Sequence, residues 1–402
     1  MPDDTYVLDL TVTGADLVTV NDDGLGSDTI SVFGVFANVV EISLCYSAIG
    51  GVTSTAGGYY YDANNKGHRL IVNGLVENAI GSVGRDFIVG NEFANRLSGE
   101  ANLAGPGAAY TLWGGAGNDT VHGGVGADVL AGDGDDDALF GGFGNDTITG
   151  GSGIDTVEGG AGADSLNGGG GVGDLLSYKS SSAGIVMTVT FGTVALGAGG
   201  DAEGDRVLGF SDIRGSAFRD IMTDADKSTL PGQANDNLFA GGGGRDRLLL
   251  GGGNDTGLGG IGDDFIAGED GADVLDGGNG MDVLRGGRGI DTLTGGAGAD
   301  RFEFRLISDS SPDLAAQDII TDFSAAQGDR IDLSAIDADA TLAGNQAFEL
   351  IASAFQGNAG ELRLVAQGGD LIVMGDIDGD LQADFAILLL GTTTLALADF
   401  LL

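Results

Sequence analysis

Thirteen aspartates recur at strict nine-residue intervals in two blocks of the chain. The first block holds Asp119, Asp128, Asp137, Asp146, Asp155 and Asp164; the second holds Asp246, Asp255, Asp264, Asp273, Asp282, Asp291 and Asp300. Each is the sixth residue of a unit of the form Gly-Gly-x-Gly-x-Asp-x-U-x, where U is a large apolar residue. Ionised carboxylates are hard oxygen donors. The glycines before them can take backbone conformations closed to most residues, so that carbonyl groups can turn toward one centre. An all-oxygen donor set suits a hard divalent cation, whereas zinc favours nitrogen and sulfur. The chemistry on offer is cation binding.

The elements that would position these groups follow from the same unit. Gly-Gly-x-Gly-x-Asp reads as a turn, and x-U-x as a three-residue strand whose central side chain enters a core. In the first block U is Val121, Leu130, Leu139, Ile148, Val157 and Leu166. Two units make one 18-residue coil with a strand on each side, and successive coils stack at the strand spacing of about 4.8 Å. The expected fold is all-β: a parallel β-roll, a right-handed β-solenoid of nonapeptide repeats in two blocks with a β-rich C-terminal cap. Stacking sets Asp119 on Asp137, Asp128 on Asp146, Asp137 on Asp155 and Asp146 on Asp164. Two carboxylates plus backbone carbonyls form a cage of about six oxygens, which fits calcium better than magnesium, an ion reluctant to shed water. Counting stacked pairs in both blocks gives about nine calcium sites. Some units depart from the pattern: Gly257 occupies a U position and is expected to leave a thin spot in the core, and Leu250 opens its unit in place of glycine. Asp133 and Glu269 replace second glycines and add charge beside the sites.

Composition supports a cation-dependent chain. Sixty acidic residues face 17 basic ones, a formal net charge of -43, so the chain would repel nucleic-acid phosphates and anionic lipid. It would also repel itself unless cations enter the fold. Seventy-eight glycines raise the backbone entropy lost on folding, and the repeat blocks are therefore expected to be disordered without calcium. Cys45, the single cysteine, excludes an intramolecular disulfide. The N-terminal MPDDTYVLDL lacks the basic and apolar segments of a secretory signal peptide, and no apolar run is long enough to span a membrane. Export would have to be signalled elsewhere.

Texture divides the chain into five regions. Residues 1–80 form an irregular β N-terminal region that includes the Tyr59-Tyr60-Tyr61 run. Residues 81–167 hold a lead-in, with a near-repeat at Gly81 to Val89, a second at Gly90 to Ser98 with Asn95 in the aspartate slot, a unit widened around Pro106, and the first clean block. Residues 168–240 are an insertion with degenerate repeats; Ile185, Met187, Val189 and Phe191 alternate there as one strand, and Gly215 to Thr223 echoes Gly81 to Val89. Residues 241–303 are the second block, and residues 304–402 a cap whose runs Leu371 to Met374 and Phe385 to Leu390 read as buried strands.

The nine-residue unit resembles the RTX, or hemolysin-type, calcium-binding repeat. In those repeats the earlier turn lends the carbonyls of its second and fourth residues, and the later turn those of its first and third. The resemblance thus adds the carbonyls of Gly115, Gly117, Gly132 and Gly134 to the Asp119–Asp137 site. Asp318-Ile319-Ile320-Thr321-Asp322-Phe323, Gly328-Asp329-Arg330-Ile331-Asp332-Leu333-Ser334 and Asp376-Ile377-Asp378-Gly379-Asp380 resemble the C-terminal domain of serralysin-type metalloproteases, and Glu77 to Ser82 resembles the start of their β-roll. The final Ala398-Asp399-Phe400-Leu401-Leu402 is similar to the ending of substrates of type I ABC exporters. The zinc-binding His-Glu-x-x-His helix of serralysins is missing: His68 and His122 are the only histidines, and neither has a metal-ligand spacing. No Gly-x-Ser-x-Gly elbow occurs either. What the resemblance implies is the fold and the export route, not proteolysis. Asp376, Asp378, Asp380 and Asp384 read either as a polar turn or as a further calcium site.

These features lead to the expectation of a secreted, extracellular calcium-binding protein that folds on meeting calcium outside the cell. Its expected role is that of a non-enzymatic adhesin, matrix or surface-layer component, with cell-surface or matrix glycans as possible partners. The alternative is an extracellular polysaccharide-active enzyme whose site lies in 1–80 or 168–240.

Overall fold

The apolar residue at position eight sits at the centre of an extended triplet, so a strand centred on it turns that side chain to one face and its two neighbours to the other. The computed structural model shows this alternation in most units, as in Thr147–Ser152 and Val283–Arg288. It describes residues 109–170, 173–190, 192–225, 236–339 and 342–402, the segments 86–90 and 94–99, and, as backbone, the strands at 5–9, 17–21, 29–33, 40–45, 68–73 and 78–80. The side chain of Cys45, the Tyr59-Tyr60-Tyr61 run, the widened unit around Pro106, and Glu77 with Gly81-Ser82 lie outside the described residues. The chain forms two compact units, Met1–Ser181 with Gly192–Asp212, and Ser182–Phe191 with Ile213–Leu402.

In the first unit, alternate repeats supply alternate sheets. Thr120–Val125 pairs in parallel with Ala138–Phe143, and that strand with Thr156–Ala161. Facing them, Val129–Gly134 pairs with Thr147–Ser152, and that strand with Ser165–Gly170. Every register step is 18 residues, Val121 on Leu139 on Val157 and Leu130 on Ile148 on Leu166, so the coil is two units long. These six side chains are buried at 0–1% exposure and form the core between the sheets. Parallel pairing continues toward the N-terminus through Arg96–Ser98, Asn78–Ile80 and Thr29–Phe33 to Thr5–Asp9.

The second unit repeats the plan. Arg247–Leu249, Phe265–Asp270, Val283–Arg288 and Arg301–Glu303 stack in parallel on one side. Leu238–Gly243, Thr256–Ile261, Val274–Asn279 and Thr292–Ala297 stack on the other. Of the strand expected from Ile185 to Phe191, Val186–Val189 is formed, with Met187 and Val189 buried, and it pairs with Ile221–Asp224; Phe191 lies outside the described residues. Beyond Glu303, Asp318–Ile320 and Arg330–Asp332 each add a parallel strand to the stack. The cap follows: Phe385–Leu389 pairs in parallel with Asp318–Ile320, and its other edge receives the antiparallel hairpin Glu361–Gln367 with Asp370–Asp376.

Two expectations change. The strands of most units are six residues long, not three, because pairing runs on through the next unit's second and third residues, as in Gly124 on Gly142 and Val125 on Phe143. The glycine at position two has positive φ, 111° at Gly124 and 108° at Gly142, which lets the strand bend without losing its partner. Nor is there a thin spot at Gly257. A Cβ there would lie 2.7 Å from Ile266 and 3.0 Å from Leu250. Leu250, fully buried, occupies the volume that the missing side chain would have filled. The two departures of this unit compensate each other.

Candidate metal centre

The carboxylates of each block form a ladder along the edge where turn meets strand. Within it, each aspartate accepts through Oδ1 the backbone N–H of the residue in the aspartate slot one coil earlier, which is Asn95 for Asp119, Tyr110 for Asp128, Asn237 for Asp255 and an aspartate for the others. Asp119 donates to Asp137 at 2.8 Å, Asp128 to Asp146 at 2.7 Å, Asp137 to Asp155 at 2.9 Å and Asp146 to Asp164 at 2.8 Å. The second block does the same from Asp246 to Asp264 and on to Asp282 and Asp300, and from Asp255 to Asp273 and Asp291, at 2.7–2.9 Å. All thirteen repeat aspartates are at most 3% exposed. Stacking therefore pairs the residues expected to pair.

The second carboxylate oxygen behaves differently. Oδ2 of Asp119, Asp137, Asp146, Asp155, Asp164 and every repeat aspartate from Asp246 to Asp300 is buried with no hydrogen-bond donor from the protein. A buried carboxylate oxygen without a donor is costly, and so many in one row call for a positive ligand. Except in the unit that Leu250 opens, the first glycine of the unit makes room for this oxygen. At Gly259 a Cβ would come within 2.6 Å of Asp264 Oδ2 and 2.5 Å of the Gly277 carbonyl oxygen, so carboxylate and carbonyl converge on the space a side chain would fill. Two carboxylate oxygens and a set of carbonyls, with no nitrogen or sulfur, fit calcium. Of the glycines expected to lend carbonyls to the Asp119–Asp137 pair, Gly115 and Gly117 have φ of 111° and 94°, the left-handed region the turn requires; Gly132 opens the next coil's turn, with Gly134 two residues on.

Burial pushes Asp119, Asp137, Asp146, Asp246, Asp273, Asp282 and Asp291 up to about 7, against the opposing pull of the backbone N–H bond. Asp255, with the charge of Asp273 adding to its burial, is pushed up to about 8. In the third unit of the first block Asp133 and Asp135 take positive φ, 76° and 71°, where neighbouring units have glycine, and their charges add to the upward shift at Asp119 and Asp137. Glu269 takes the same conformation, φ 80°.

The ladder is longer than the repeat. Asp155 donates to Asp174 Oδ1 at 2.9 Å and Asp164 to Asp205 at 2.8 Å. Asp220 donates to Asp246 at 2.7 Å, Asp291 to Asp318 and Asp300 to Asp329, both at 3.0 Å. Sequence reasoning did not place these residues in the ladder, because they are out of phase, and the turns before Asp220, Asp318 and Asp329 have also lost most glycines. One signal persists, the triplet Asp-x-apolar: Leu176, Val207, Met222, Ile320 and Ile331 follow their aspartates by two residues and are buried like any U residue. Other early positions carry a different residue in the aspartate slot, Asn95, Tyr110 and Asn237, each buried.

The acidic turn of the cap is built otherwise. Oxygens of Asp376, Asp378 and Asp384 lie within 4.8 Å of one another. Asp376 accepts the N–H of Gly379 at 2.7 Å and of Leu381 at 3.0 Å, and Asp384 that of Ile377 at 2.7 Å. Both oxygens of Asp376 thus hold the turn.

A parallel β-roll whose coils are joined by stacked, buried carboxylates is a calcium-binding repeat architecture. The model of the RTX calcium-binding nonapeptide repeat, in four copies, matches residues 80–102, 113–148, 140–175, 229–257, 251–282 and 276–304. The chain carries RTX calcium-binding nonapeptide repeats, and calcium is its ligand. Among solved structures, the solution structure of the AlgE6R3 subunit from the Azotobacter vinelandii mannuronan C5-epimerase matches at 29% identity, over 39% of this chain and 78% of that one, with a TM-score of 0.28. No curated protein matches the chain. Among the described residues no helix is long and apolar enough to cross a membrane.

Proposed function

We propose that this is an exported protein whose two repeat arrays close only when calcium binds between stacked coils, and that its role outside the cell is structural or adhesive, not catalytic. The observation that carries this is the row of buried Oδ2 atoms without a donor, most of them converging with a carbonyl of the next coil on the space beside the first glycine of their unit. In this reading the in-phase pairs, from Asp119–Asp137 to Asp282–Asp300, are the calcium sites, about nine in number because six units stack into four pairs and seven into five. Gly115, Gly117, Gly132 and Gly134 lend carbonyls to the first of them. Low calcium inside the cell keeps the arrays open for a type I exporter, which reads the C-terminal segment. The serralysin-like motifs of residues 304–402 support that route. The cap covers one sheet of the stack with an antiparallel hairpin, which breaks the run of parallel coils there.

The non-catalytic role is tested by incubating the calcium-loaded full chain with a panel of acidic and neutral glycans, reading binding and turnover separately. Binding, or no interaction, without turnover is the expected result. Cleavage or epimerisation of any glycan would sink it in favour of a polysaccharide-active enzyme.

A further inference from the structure

Five aspartates continue the ladder beyond the nonapeptides, and they fall into two kinds according to what meets Oδ2. Three are satisfied by the protein. Asp205 Oδ2 accepts the buried Tyr178 hydroxyl at 2.9 Å, Asp220 Oδ2 accepts the Ser216 N–H at 2.7 Å, and Asp329 Oδ2 accepts the Ser324 N–H at 2.8 Å. Two are not. Oδ2 of Asp174 and of Asp318 is buried without any donor, as in the in-phase pairs. We infer that Asp174 with Asp155, and Asp318 with Asp291, close two further calcium sites off the nine-residue register, while Asp205, Asp220 and Asp329 are metal-free ends of the ladder.

The surroundings of both pairs agree. Asp174 lies 19 residues after Asp155, one more than a coil, yet its Oδ1 takes the same backbone N–H as a repeat aspartate. A Cβ at Gly168 would lie 2.8 Å from Asp174 Oδ2, the same glycine cradle as in a regular unit. Asp318 lies 27 residues after Asp291, because residues 304–317 loop out before the strand resumes. Asp291 and Asp318 are each 0% exposed. The turn that leads to Asp291 keeps the regular shape, with Gly287 at φ 111° and Gly289 at 145°. On the other side the glycines are gone, but Gln317 buries a second oxygen, Oε1, that also has no donor. A hard cation is the ligand that a buried carboxylate oxygen without a donor calls for. The ends differ for a physical reason: a hydroxyl or amide N–H supplies the positive dipole that calcium supplies inside the arrays.

The inference rests on the reading of the in-phase pairs as calcium sites, and one experiment separates the two. Crystals of the calcium-loaded full chain should give anomalous-scattering peaks between Asp155 and Asp174 and between Asp291 and Asp318, in addition to the in-phase pairs. Nothing should appear at Asp164–Asp205 or Asp300–Asp329. Peaks at the in-phase pairs alone would overturn this inference and leave the proposed function standing; no peaks at any pair would overturn both. In solution, native mass spectrometry of the calcium-loaded full chain should show Asp318→Asn lowering the calcium count by one and Asp329→Asn leaving it unchanged. An unchanged count in Asp318→Asn would contradict the second site.

Discussion

A carboxyl that is buried, close to another carboxyl and supplied with a single N–H donor can become neutral in two ways, by taking a proton or by sharing a cation. Burial holds Asp119, Asp137 and Asp246 at about 7, well above the ordinary 3.8. Where the folded state holds its protons more tightly than the unfolded chain, stability falls as pH rises between the two values. The calcium-free fold should thus be least penalised below about pH 4 and should lose stability from there to about pH 7. Circular dichroism of the calcium-depleted chain should show more β signal at pH 4 than at pH 8; equal spectra would contradict the burial of unpaired carboxylates. Calcium competes with those protons, so the calcium needed for folding should rise as pH drops below 7. Glycine is tested at the same scale. In Gly259→Ala the new methyl would meet Asp264 Oδ2 and the Gly277 carbonyl, and the variant should bind fewer calcium ions than the parent by native mass spectrometry. An unchanged count would show that the cradle is not part of a site.

At the scale of the element, the unit 250–258 shows how the roll tolerates a broken repeat. Leu250 at position one and Gly257 at position eight exchange the roles of spacer and core residue. Leu250→Ala should cost about 2–5 kcal/mol as an unfilled cavity. Gly257→Leu should cost about 1–3 kcal/mol by overpacking against Ile266 and Leu250. The double variant Leu250→Gly, Gly257→Leu restores the common pattern and should be more stable than the sum of its single changes, read from urea unfolding of the calcium-loaded protein. Strict additivity would contradict the compensation. The same unit marks the limit of what was legible in advance. Period nine gave the strands, the 18-residue register and the stacked pairs, because identical spacing must repeat identical geometry. It did not show that Leu250 fills the place of Gly257, since that is a contact between two positions each read alone as a defect. Nor did it show Asp174, Asp205, Asp220, Asp318 and Asp329 in the ladder. Insertions shifted their phase, and only backbone pairing brings them back to the stack.

At the scale of the whole molecule, a formal charge of -43 is carried by a chain that also buries a long row of carboxylates. Burying unpaired charge opposes folding, and calcium removes that opposition because it binds only where two coils have already stacked. Folding and metal binding are then one equilibrium, displaced by the calcium concentration. The direct measurement is far-ultraviolet circular dichroism of the full chain at pH 7.5, titrated with calcium from excess chelator. The account predicts little β signal in chelator, a cooperative gain as calcium is added, and reversal when chelator returns. A full β spectrum in excess chelator, unchanged by calcium, would contradict it.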